Sequence, residues 1–114
     1  MGIPKSATDE IVNLSAALDY QEASVISRVL LKNAGGTITL FAFDERAGLS
    51  EHTTPHDAFV SVIEGTTRIV IAEREYSLNA GDSLVLPANI PHSVEALTKF
   101  KMLLVMIKVP KPEV

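Results

Sequence analysis

The chain has no cysteine and only three histidines among its 114 residues. Disulfide frameworks and thiolate chemistry are therefore excluded, in keeping with a reducing, cytoplasmic location. Positive charge is also in short supply: 10 Lys and Arg stand against 14 Asp and Glu, a formal net charge of −4. Binding to a phosphate backbone needs clustered Lys and Arg that release counterions, so no nucleic-acid partner is expected. Lys99, Lys101, Lys108 and Lys111 do gather near the C-terminus, where spaced lysines on a terminal strand form a solvated face that blocks edge pairing. Long hydrophobic runs are missing as well. The longest, Met102 to Ile107, falls far short of the ~18 residues of a spanning helix. The opening MGIPKSATDE lacks the charged-then-apolar pattern of an export signal, so no membrane partner is expected. There is no G-x-S-x-G elbow, no G-x-G-x-x-G loop and no P-loop lysine, which removes local support for serine-hydrolase and nucleotide-binding readings.

What is present is a hydrophobic fraction of 46% beside 21% charged residues, the composition of a soluble globular protein. A single domain of this length buries roughly two-thirds of the surface its unfolded chain would expose. Thr8, Asp9 and Glu10 combine a hydroxyl cap with acidic first-turn residues ahead of Ile11, Leu14 and Leu18 at helical spacing, so a short helix or a docked arm is expected over residues 1–22. From there on the pattern is extended. Ser24–Lys32 and Thr37–Phe43 flank the turn signal Asn33-Ala34-Gly35-Gly36. Six more short segments follow at close spacing: Ala58–Ile63, Thr67–Ala72, Glu75–Leu78, Ser83–Leu86, Ser93–Ala96 and Phe100–Val109. Short strands parted by Gly, Pro and Asn turns, with no long amphipathic helix among them, predict an all-β sandwich or small barrel over residues 23–110. A loose tail is expected at 111–114. The last strand is apolar at consecutive positions, so both of its faces need cover, which points to a homodimer.

All three histidines fall in two turn-bounded stretches, Gly48–Gly65 and Gly81–His92. Alternation along an unbroken strand would put His52, Thr54, His56, Ala58 and Val60 on one inward face, with Glu51, Asp57 and Phe59 turned away. A helical i, i+4 pairing of His52 and His56 is opposed by Pro55 between them. On a straight strand the two histidines stand about 13 Å apart, so both reach one metal only if the chain bends at Pro55; otherwise His52 binds and His56 sits at the rim. His92 arrives from the second stretch, behind Pro87-Ala88-Asn89-Ile90-Pro91. An open three-histidine site of His52, His56 and His92 is the metal hypothesis, with Thr54, Ala58 and Val60 lining a ligand pocket. Against it stands the reading of each histidine as a hydrogen-bonded core or rim residue.

At these residues the chain resembles the cupin superfamily, in particular small single-domain proteins of the conserved-barrel type. The family's first motif is G-x5-H-x-H-x3,4-E-x6-G. Counted back from Gly65, His52 takes the first histidine position, Thr54 the second and Ala58 that of the glutamate. The second motif, G-x5-P-x-G-x2-H-x3-N, is matched by Gly81, Pro87 and His92, with Asn89 where glycine is usual and Ala96 where asparagine is usual. The resemblance implies a double-stranded β-helix, or jelly roll, usually dimeric, with its ligand cavity inside the barrel. It carries the family's metal ligands over to His52 and His92 only. Three functions follow: a catalyst using a divalent transition metal (Zn, Ni, Fe, Mn or Cu), a metal-free module that binds an unknown small molecule, and a structural dimer that retains remnant histidines.

Overall fold

A computed structural model describes residues 9–110. Nine strands form: β1 Val25–Asn33, β2 Gly36–Phe43, β3 Gly48–His52, β4 Asp57–Glu64, β5 Thr66–Ile71, β6 Arg74–Asn79, β7 Ser83–Leu86, β8 His92–Ala96 and β9 Phe100–Ile107. They build a five-stranded sheet of order β1-β2-β9-β4-β7 and a four-stranded sheet of order β3-β8-β5-β6. All pairings are antiparallel. This is an all-β jelly roll, within the sandwich-or-barrel class that the turn-punctuated sequence predicts and as the resemblance implies.

The two sheets face each other over one core. Phe43, Val60, Val62 and Met102 point inward from the larger sheet against Ile69, Leu78, Val94 and Ala96 from the smaller. Phe43 and Phe100, register partners on β2 and β9, stack with ring centres 4.5 Å apart. Each large side chain so buried contributes roughly 1.5–3 kcal/mol. Gly65 alone links β4 in one sheet to β5 in the other. It does so at φ +80°, and a Cβ there would collide with the Lys99 carbonyl, so the crossing requires glycine.

Two expectations change. The unbroken strand through Gly48–Gly65 is instead β3 and β4, which belong to different sheets. Residues 53–56, with Pro55 among them, carry the chain from one sheet to the other, and proline belongs at such a break because it cannot serve a central ladder. The N-terminal segment, in turn, forms no helix among its described residues. It turns at Asn13, whose Oδ1 accepts from the backbone N–H groups of Ser15 (3.1 Å) and Ala16 (3.2 Å). The Ser15 carbonyl, which a helix would bond to the amide four residues on, accepts instead from Lys101 Nζ at 2.5 Å. Leu14 and Leu18 are half-buried while Ile11 is fully exposed, so the segment is a docked arm. The helix cap expected at Thr8 and the tail at 111–114 lie outside the described residues. No helix among the described residues is long and apolar enough to cross a membrane.

Candidate functional site

The end of β3 and the start of β8 bring two of the histidines together. His52 and His92 are register partners, and their rings meet edge to face with centres 4.4 Å apart. The loop that delivers His92 is held at four points. Ala88 N–H donates to Asp57 Oδ1 (2.8 Å), Asn89 N–H to the Thr54 carbonyl (2.7 Å) and Ala72 N–H to the Pro91 carbonyl (2.8 Å). The fourth is His92 itself, through Nδ1 and the Ile90 carbonyl at 3.1 Å. Asn89 sits at φ +64°, a left-handed conformation that Asn tolerates better than other non-glycine residues, which accounts for Asn at the usual glycine position.

Both imidazoles are tied in the same way. His52 Nδ1 lies 2.7 Å from the Ser50 carbonyl, matching the His92 contact with Ile90. A carbonyl oxygen can only accept, so Nδ1 carries the proton in each ring and the neutral form leaves a bare lone pair on Nε2. His92 is buried at 7% exposure. Burial pulls its pKa below the ordinary histidine value, the Ile90 carbonyl opposes that, and the neighbouring His52 lowers it further. The buried ring is therefore neutral at neutral pH.

The two rings open on a cavity of about 60 Å³ between the sheets. Thr54 and Ala58 line it, together with Leu49, Leu86, Val94, Met102, Leu104 and Met106. These six do not stand out in the sequence, although the alternation of β8 is enough to mark Val94 as inward. Val60, also expected at the pocket, is fully buried in the core and is not among the lining residues. It shares Ala58's face but lies one inward position deeper in the barrel.

His56 is separated from the other two. It belongs to the crossing between the sheets, it does not line the cavity, and its Nδ1 accepts the Val109 N–H at 3.3 Å. The chain does bend around Pro55, but the bend starts β4 in the opposite sheet instead of folding His56 back onto His52. No group of three or more His, Asp or Glu among the described residues is placed to hold a metal, which corrects the three-histidine cluster expected from spacing. Two ligands remain. A ring centre stands about 3 Å from a metal its nitrogen binds, so rings 4.4 Å apart can meet on one ion. The bare Nε2 lone pairs suit Zn, Ni, Fe or Cu. The donor set thus fits a transition metal with open positions, and lacks the carboxylate of a full four-ligand site.

The family model of the cupin domain matches residues 39–108. Among solved structures, a conserved protein of unknown function, SPY1581 from Streptococcus pyogenes, is 30% identical with a TM-score of 0.85, and 90% of each chain is covered. A cupin 2 conserved barrel domain protein from Leptotrichia buccalis is 36% identical with a TM-score of 0.82, over 85% of this chain and 47% of that one. A cupin superfamily protein from Desulfitobacterium hafniense is 22% identical with a TM-score of 0.85, covers 96% of this chain and 100% of its own, and bears on the fold alone. No curated protein matches. With the barrel, the two motif stretches and a family match over most of its length, this chain belongs to the cupin domain family.

Proposed function

We propose that the chain is a small-ligand-binding cupin in which His52 and His92 hold a transition-metal ion at the barrel mouth, leaving coordination positions open to the ligand. The observation that carries this reading is the shared orientation of the two imidazoles, each tied through Nδ1 to the carbonyl two residues before it. Such outer contacts fix a ring's tautomer and raise the basicity of its other nitrogen. Bound there, the ion would polarise an oxygen-bearing group. Thr54 adds a hydroxyl at the wall, and the remaining lining is mostly apolar. Among the described residues no carboxylate lines the cavity to act as a general base, which favours binding over catalysis. Metal analysis of the purified protein, before and after incubation with Ni²⁺ or Zn²⁺ at neutral pH, tests the reading. One ion per chain, removed by chelator and absent from His92→Ala, is expected.

Metal-free binding is the second reading, favoured by the alanine at position 58 and by a cavity of about 60 Å³ with room for little more than a pair of waters or a ligand's tip. Ligand-dependent thermal stabilisation of chelator-treated protein would support it.

We also infer that a second copy of the chain covers the outer face of the five-stranded sheet. Register aligns Leu31, Ile38, Val105, Phe59 and Val85 in one row across all five strands. Val85 is 57% exposed, and Ile107, next outward along β9, is 59% exposed. An apolar row spanning a sheet is self-complementary under a two-fold axis, since an isologous contact uses the same patch twice.

A further inference from the structure

The wall of the cavity carries thioether donors that the two-histidine account leaves unused. Met106 and Ala58 are register partners on β9 and β4, and both line the cavity with His52 and His92. Ala58 stands where an acidic ligand would otherwise reach inward, and its short side chain leaves the neighbouring space to the longer Met106. A methionine side chain has three rotatable bonds and ends in a polarisable thioether, so it can bring sulfur to a point its backbone does not face. Met102, the other thioether of the lining, pairs with Val62, about 13 Å further along the strand, and packs into the core, so Met106 is the one set beside Ala58.

We propose that the cavity selects monovalent copper, with Met106 Sδ as third ligand beside the Nε2 atoms of His52 and His92. The inference rests on the metal reading above and specifies the ion. Two imidazoles and a thioether are neutral and soft, and thioether ligands select Cu⁺ where carboxylate and water suit Mg²⁺, Ca²⁺ or Mn²⁺. Charge argues the same way. With no carboxylate in the lining to offset it, a doubly charged ion keeps its full charge in an apolar cavity. Because desolvation rises with the square of charge, that is about four times the penalty of a singly charged ion. A d¹⁰ ion satisfied by three donors also needs no carboxylate or further imidazole, and among the described residues none lines the cavity.

The test is an anaerobic titration with Cu⁺ against a chromogenic chelator, run on the wild-type chain and on Met106→Leu, with Ni²⁺ binding measured in parallel. Leucine conserves volume at this site, and a thermal melt confirms that the variant folds. We expect one Cu⁺ per chain and a loss of about tenfold or more in Cu⁺ affinity on removing the thioether, with a smaller loss for Ni²⁺. Copper-edge X-ray absorption of the wild-type complex reports the ligand directly, whatever the variant does. It should contain a sulfur neighbour that Met106→Leu lacks. A copper shell of nitrogen and oxygen only, or equal Cu⁺ affinity in the two proteins, overturns the proposal. Ni²⁺ bound through His92 with no preference for Cu⁺ overturns it too and leaves the two-histidine reading standing. Failure to bind either ion removes both.

Discussion

The backbone N–H of Asn89 donates to the carbonyl of Thr54 at 2.7 Å, and this bond joins the loop that ends in His92 to the crossing that follows His52. Asn89 makes it from a left-handed conformation, φ +64°. A β-branched residue cannot take up that conformation without strain. Asn89→Val should therefore lower unfolding stability by about 1–2 kcal/mol, whereas Asn89→Gly leaves it nearly unchanged. Urea denaturation of the two variants checks the difference. The same Asn89→Val change should weaken metal binding, because the loop no longer sets His92 against His52.

The buried His92 gives stability a pH dependence. Its folded pKa lies below the ordinary value, so between the two values the unfolded chain binds the proton that the folded chain refuses. Metal-free protein should keep this contribution above the ordinary histidine pKa of about 6.5 and lose it as pH falls through the lower folded value. His92→Gln should flatten the stability profile in that window. Thermal melts of chelator-treated protein at successive pH values measure it.

The arm is fastened by a small polar cluster on the outer face of the larger sheet. Lys101, 5% exposed, donates to the Ser15 carbonyl and lies 3.7 Å from Glu64 Oε2, and Tyr20 donates its hydroxyl to the same oxygen at 2.5 Å. The Lys101 ammonium also stands 4.9 Å from the centre of the Tyr20 ring. Lys101→Met should destabilise by about 1–3 kcal/mol, since it strands the Ser15 carbonyl, and Tyr20→Phe by about 1 kcal/mol. Cleavage within residues 9–22 under limited proteolysis should quicken in both. Burial, then the hydrogen bond to Glu64 and then its charge, raise the Tyr20 pKa above the ordinary phenol value. The folded state therefore holds this proton longer than the unfolded one, and the stability it lends is lost as pH rises past about 10.

Phe59 and Val105 sit side by side in the apolar row on that same face. In light scattering coupled to size exclusion, the wild-type chain should elute as a dimer. Phe59→Glu should elute as a folded monomer, because a charge at the centre of a two-fold contact is introduced twice. A wild-type monomer would contradict the inference.

These relationships were unevenly legible in the sequence. Gly65, Gly81, Pro87 and His92 are punctuation whose backbone chemistry is local, so turn spacing pointed to a sandwich or small barrel, and the cupin resemblance carried by these residues to the jelly roll and to two of the cavity's imidazoles. The place of His56 was not local. Parity along residues 52–62 treats them as one strand, and nothing in the alternation tells that β3 and β4 belong to opposite sheets. Val60 shows a related limit, since parity reports the face a side chain takes and not its depth in the barrel. Met106 was hidden by its neighbours, because β9 is apolar on both faces and its inward positions do not stand out. In the arm, Leu14 and Leu18 are half-buried as helical spacing would have them, but Lys101, 86 residues away from Ser15 in sequence, captures a carbonyl the helix would need.

The central claim is that two imidazoles, and not three, form the metal site. It is tested most directly by calorimetric titration of Ni²⁺ into chelator-treated wild-type protein and into His52→Ala, His56→Ala and His92→Ala, each first shown to be folded. The wild-type chain and His56→Ala should bind one ion with similar affinity, and His52→Ala and His92→Ala should bind none. Binding that survives the loss of His92, or that disappears with His56, would contradict the account.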